Sequence, residues 1–86
     1  MKAAPTTVGE FTFDPTDSSV SGPAAFMQSA EYAECIASIQ AGTNHVFRAG
    51  MEHSPTLEVA LLVTIQTVYA GWVGMQRFNA TLEAAR

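Results

Sequence analysis

The sequence predicts an all-α subunit: a two-helix hairpin behind an extended N-terminal arm, stable only in an assembly. Three observations lead there. From Val59 to Gln76 no residue is charged, and no proline follows Pro55. A weaker helical pattern spans about 23–41, and Met1 to Gly22 is rich in Thr, Ser, Pro, Gly and Asp. With 86 residues and 48% of them hydrophobic, the chain is in the size range where a lone core is marginal, and its apolar residues crowd onto one helix.

Residues 1–22 read as the flexible or extended arm. Within it Glu10-Phe11-Thr12-Phe13 alternates polar and aromatic. That pattern fits a short strand added to a neighbour, or a disordered tail that docks Phe11 and Phe13 when a partner is present. Ser21-Gly22-Pro23 starts the shorter helix, about 23–41. Phe26, Ala30, Ala33, Ile36 and Ala37, with Ile39 close by, make a narrow inner face, while Gln28, Glu31, Glu34 and Gln40 face away. Gly42-Thr43-Asn44 offers a stop, His45 to Ala49 leaves room for one or two further turns, and Gly50 to Pro55 reads as a break.

Ser54-Pro55 opens the long helix, about 55–85: serine caps free N–H groups, proline suits the first helical position, and Glu58 complements the helix dipole. One stripe, Leu57, Leu61, Ile65, Val68, Trp72 and Met75, is large, with Leu62 and Tyr69 beside it. A second, Ala60, Thr64, Thr67, Gly71 and Gly74, is made only of small side chains. A large stripe wants a core, and a small one lets another backbone approach. Residues 23–86 therefore read as a hairpin assembly domain in which one side of the long helix needs a further copy. The expected assembly interface is Leu57, Ala60, Leu61, Thr64, Ile65, Thr67, Val68, Gly71, Trp72, Gly74, Met75 and Phe78, with Phe11 and Phe13 as N-terminal docking residues.

Charge and residue inventory narrow the function classes. The net charge is −4, and no basic patch exists, which argues against nucleic acid, where phosphate neutralisation dominates affinity. Cys35 is the single cysteine, so neither an internal disulfide nor a thiolate zinc site is expected. His45 and His53 flank a break with only Glu52 nearby, too few converging ligands for a metal. Cys35 reads as a small buried hydrophobe rather than a nucleophile. The expectation is no enzyme, no cofactor and no metal, with copies of the chain and other subunits of a complex as partners. No apolar run precedes Pro5, so no cleavable signal peptide is expected. The alternative is a single-span membrane protein: eighteen uncharged residues reach roughly 27 Å, close to a hydrocarbon core of about 30 Å. The small-residue spacing of Ala60/Thr64 and Thr67/Gly71 would pack such helices together, while Gln66 near the middle would need a partner in hydrocarbon.

Ser54-Pro55, Leu57, Leu61-Leu62, Gln66, Tyr69 and a continuous helix to Leu82 resemble the C-terminal domain of type III secretion inner-rod subunits, relatives of needle subunits and of the flagellar subunit at the rod base. The resemblance covers roughly 54–86, and the layout of 1–53 is similar as well. It implies a short helical subunit exported without a cleaved signal, polymerised into a ring or short helical conduit in the cell envelope, and lacking an active site. It also implies partial disorder before assembly.

Overall fold

In the computed structural model, which describes residues 4–85, the N-terminal stretch folds back on itself. Strands β1 (Thr6–Val8), β2 (Phe11–Asp14) and β3 (Ser19–Ser21) form an antiparallel sheet in the order β1-β2-β3. Four helices follow: α1 (Ala24–Met27), α2 (Ala30–Ala41), α3 (His45–His53) and α4 (Leu57–Ala84). The chain is thus a small sheet and three short helices laid along one long helix. This corrects the expected all-α two-helix hairpin with an extended arm.

Turn chemistry explains the correction. Gly9 takes φ +59° between β1 and β2, at the first central position of a two-residue hairpin turn that favours glycine. In the β2–β3 loop the Asp14 carboxylate accepts from Thr16 N (2.9 Å) and Thr16 Oγ1 (2.6 Å), and Asp17 Oδ1 accepts from Ser19 N at 3.1 Å. These side chains stand in for a backbone turn. The hydroxyl hydrogen bond from Thr16 holds the Asp14 carboxyl below its usual range. Register pairs Val8 with Phe11 and Phe13 with Val20. Because side chains alternate along a strand, Phe11 and Phe13 share a face, and both pack into the core of their own chain together with Val8 and Val20.

The expected helix over 23–41 is broken at Gln28-Ser29. Ser29 caps α2 by accepting from Tyr32 N at 3.2 Å, and its hydroxyl donates to Phe26 O at 2.6 Å. The new phase turns Ala30, Ala33 and Ala37 outward and brings Tyr32, Cys35, Ile36 and Ile39 onto the core. Gly42, at φ +76°, ends α2 with Gly42 N donating to Ile39 O and Thr43 N to Ser38 O, a left-handed closure suited to glycine. Asn44 then caps α3 through Phe47 N at 2.9 Å, and the helix runs through Gly50 to His53. Ser54 closes α3, donating from its backbone N to Gly50 O at 2.8 Å. The cap of α4 is Thr56, whose Oγ1 accepts from Val59 N at 3.2 Å, so the long helix starts later than Ser54-Pro55 suggested.

The core is aromatic. Phe11 and Phe26 are fully buried, with Leu62, Ile65 and Ala60. Phe26 meets Phe11, Tyr32, Tyr69 and Trp72 with ring centroids 5.2–5.8 Å apart. Edge contacts of this kind contribute roughly 0.5–1.5 kcal/mol each beyond area burial. Gly22 admits the Phe11 ring, since a Cβ there would sit 2.5 Å from Phe11 Cδ1.

A polar contact helps key the sheet to α4. Gln66 Oε1 accepts from Glu10 N at 3.3 Å, and a Cβ on Gly9 would meet that oxygen at 2.4 Å. Gly9→Ala is therefore expected to destabilise by about 2 kcal/mol, from left-handed strain and a displaced hydrogen bond. In a Gln66→Ala background only the strain, about 1 kcal/mol, should remain. A double-mutant cycle by urea denaturation checks this; equal costs in both backgrounds would mean that Gln66 does not contact the turn.

Candidate assembly interface

Helix α4 divides into a clothed half and a bare half. Ala60, Leu62, Thr64 and Ile65 are buried, and Leu61, Val68, Tyr69 and Trp72 pack against the core from its margin. From Met75 to Ala85 every residue is exposed. The molecule measures 56 × 25 × 19 Å, and a helix of 28 residues is about 42 Å long. The sheet, α2 and α3 cover the near part of it, and the far end projects.

The expected interface is accordingly split. Ala60, Leu61, Thr64, Ile65, Val68 and Trp72 serve the chain's own core, as do Phe11 and Phe13. The small stripe is also used internally at its first two members: a Cβ on Gly50 of α3 would lie 3.6 Å from Ala60 Cβ, so the two helices touch nearly backbone to backbone. The Thr64 hydroxyl is satisfied within its helix by donating to Ala60 O at 2.9 Å, which makes its burial tolerable. Left facing outward are Leu57, Thr67, Gly71, Gly74, Met75 and Phe78. Leu82, which the sequence reading used only to mark the helix end, joins them. Met75, Phe78 and Leu82 are 56%, 57% and 47% exposed, and their spacing of three and four places them on one face of the helix.

A second feature was not expected. A groove of about 320 Å³ opens between sheet, α2 and α4, lined by Phe13, Val20, Tyr32, Ile36, Ile39 and Leu61, with Ser18 and Gln40 at its polar positions. The sequence signal was the stripe Tyr32, Ile36, Ile39, obscured by the alanines that gave α2 a false inner face.

Among the described residues no group of three His, Cys, Asp or Glu side chains is placed to hold a metal ion. Cys35 is buried at 5% exposure, and burial pushes its thiol, and the Tyr32 hydroxyl, above their ordinary values. The Glu10 carboxylate facing Tyr69 does the same to that phenol, with burial adding to it. No protein-family model matches the chain, and no curated protein or solved structure does so either.

Two predictions follow from this geometry. Nothing lies within 4 Å of a Cβ built on Gly71 or Gly74, so Gly→Ala at either should stabilise the lone chain by about 0.5–1 kcal/mol through helix propensity. Thermal unfolding at low protein concentration tests it; a fall in Tm would place a close neighbour at the tip. The three raised groups hold their protons more tightly when folded. Their contribution is complete below their unfolded values and is lost as pH rises through the folded ones. Stability should therefore decline from about pH 9 upward, less steeply in Tyr69→Phe, as read by denaturant midpoints across pH.

Proposed function

We propose that this chain is a structural subunit that joins copies of itself through the outer end of α4. The observation that carries the reading is the Met75, Phe78 and Leu82 stripe on a helix that has left its own core. Apolar side chains grouped on a projecting element are where a soluble chain finds partners. Gly71 and Gly74, open beside the stripe, allow a neighbouring backbone to come close. The sheet packs on the aromatic core of its own chain, so the surface left for a partner is the outer end of α4.

The specific form of the proposal is a subunit of a protein-secretion conduit in the cell envelope, of the inner-rod type. What supports it is the resemblance of residues 54–86 and the projecting C-terminal helix, which suits a ring or helical array built from one repeated contact. The single-span alternative draws on α4, which is long and apolar enough to cross a membrane by length and composition. To insert the charge-free run, however, lipid would have to displace the sheet from Leu62 and Ile65 and strip Gln66 of its Glu10 N–H donor. Leu62 and Ile65 would stay out of water in lipid as well, so the cost falls on the Gln66 amide left without its partner, roughly 1–3 kcal/mol, and on that ground the assembly reading is favoured.

Analytical ultracentrifugation of the full chain separates the two. Mass should rise with concentration above the 9.2 kDa of a single copy without detergent, and Met75→Glu/Leu82→Glu should hold it at monomer mass with unchanged helix content. A wild-type monomer at every concentration would overturn the proposal, and flotation with vesicles that resists high salt would favour the membrane reading.

A further inference from the structure

We propose that two copies of the chain join through the same face of α4, their tips lying antiparallel so that Phe78 of each seats over Gly71 and Gly74 of the other. This rests on the assembly reading and deepens it by naming the partner surface as the tip itself.

The face is already used for helix packing within the chain. Ala60, Thr64, Thr67, Gly71, Phe78 and Leu82 make one row along α4 by their helical spacing. Helix α3 lies on the start of that row, where a Cβ on Gly50 would be 3.6 Å from Ala60 Cβ. Because only Ser54, Pro55 and Thr56 join the two helices, α3 runs back along α4, and its first residue, His45, lies about 7.5 Å beyond Gly50, near the level of Ile65. Cover stops there: Thr64 is buried, whereas Thr67 is exposed. From Thr67 to Leu82 the row is bare for about 22 Å. A second tip has that same length and the same exposed residues. The Thr67 hydroxyl donates to Val63 O at 2.8 Å, so a neighbour can cover it without leaving it unsatisfied.

The order of side chains along the row selects the antiparallel arrangement. Thr67, Gly71 and Gly74 come first, and Met75, Phe78 and Leu82 follow. Reversed about an axis near Met75, a second copy brings its Phe78 to the glycines and its Leu82 to Thr67, large against small at each level. Nothing lies within 4 Å of a Cβ built on Gly71 or Gly74, so the ring has room. Parallel alignment would set Phe78 against Phe78 and hold the glycines apart, leaving a void that forfeits their contacts. Charge permits the pairing, since Arg77 and Glu83 cancel on the described part of the tip. Area agrees as well. Met75, Phe78 and Leu82 each expose about half of their surface, together roughly 350 Å² per copy, the size of patch that on a monomer is often functional. Pairing two such faces with the small row between them removes on the order of 1,000 Å² from water, the threshold for a specific interface. A contact of that size is reversible and concentration-dependent. It is isologous and closes at two copies, so a larger array would repeat the pair rather than the single chain.

The test uses full-length variants. By sedimentation, the first species that wild type forms as concentration rises should be a dimer. Gly71→Leu/Gly74→Leu fills the seat of Phe78 without touching the chain's own core, and should weaken association by about tenfold or more with helix content unchanged. Orientation is read by cysteine cross-linking under mild oxidation, with the wild-type chain, whose Cys35 is buried, as the control. Met75→Cys, near the axis, should link to itself. Leu82→Cys should not, because its two copies lie about 20 Å apart in the antiparallel pair, yet Leu82→Cys mixed with Thr67→Cys should link. Self-linking of Leu82→Cys, a first product other than a dimer, or undiminished association of the glycine double variant would overturn the antiparallel seating while self-assembly stands. A wild-type chain that stays monomeric at every concentration would overturn the assembly reading with it.

Discussion

The burial of Phe11 and Phe26 between the sheet and α4 is the constraint on which the remaining architecture depends. Neither ring retains any exposed surface, and removing either would cost on the order of 3–5 kcal/mol, a large part of what a domain this small can have. Phe11 fixes β2 on the helix, and Phe26, on the single turn α1 that precedes the Ser29 cap, gathers Tyr32, Tyr69 and Trp72 around it. The half of α4 next to these rings is clothed. The half beyond them, from Met75 to Ala85, is exposed.

The long helix was legible in the sequence because several signals agreed: a cap region, a charge-free run, absence of proline, and apolar recurrence at three and four. Its burial was less so. Periodicity assigns residues to faces along the whole helix, but it does not show where the cover ends, so Ile65 and Met75 fell in one stripe although one is buried and the other open. The N-terminal sheet was hidden by composition. Thr, Ser, Asp and Gly mark both loose chain and tight hairpins, and Val8-Gly9-Glu10-Phe11 becomes a turn only once Val20 is known to pair with Phe13. In α2, alanines spaced like a core stripe outweighed Tyr32, Cys35, Ile36 and Ile39, and the Ser29 cap that resets the phase was not recognised.

Gln66 offers the clearest case of a residue whose meaning changed with context. In a membrane helix its amide would have been a cost seeking a partner. Here the β1–β2 turn supplies the donor, and the polarity of the helix centre becomes part of how the sheet is held. The projecting tip and the groove have the opposite character: apolar surfaces that the fold leaves unmatched within one copy.

The bond from Glu10 to Gln66 also fixes where along the rod the small sheet can rest. One turn toward either end, the turn would face Leu62 or Ala70, and neither side chain offers an oxygen. The meander thus has one notch and no adjacent ones. The stretch of α4 that the sheet shelters is for that reason a set dimension of the molecule.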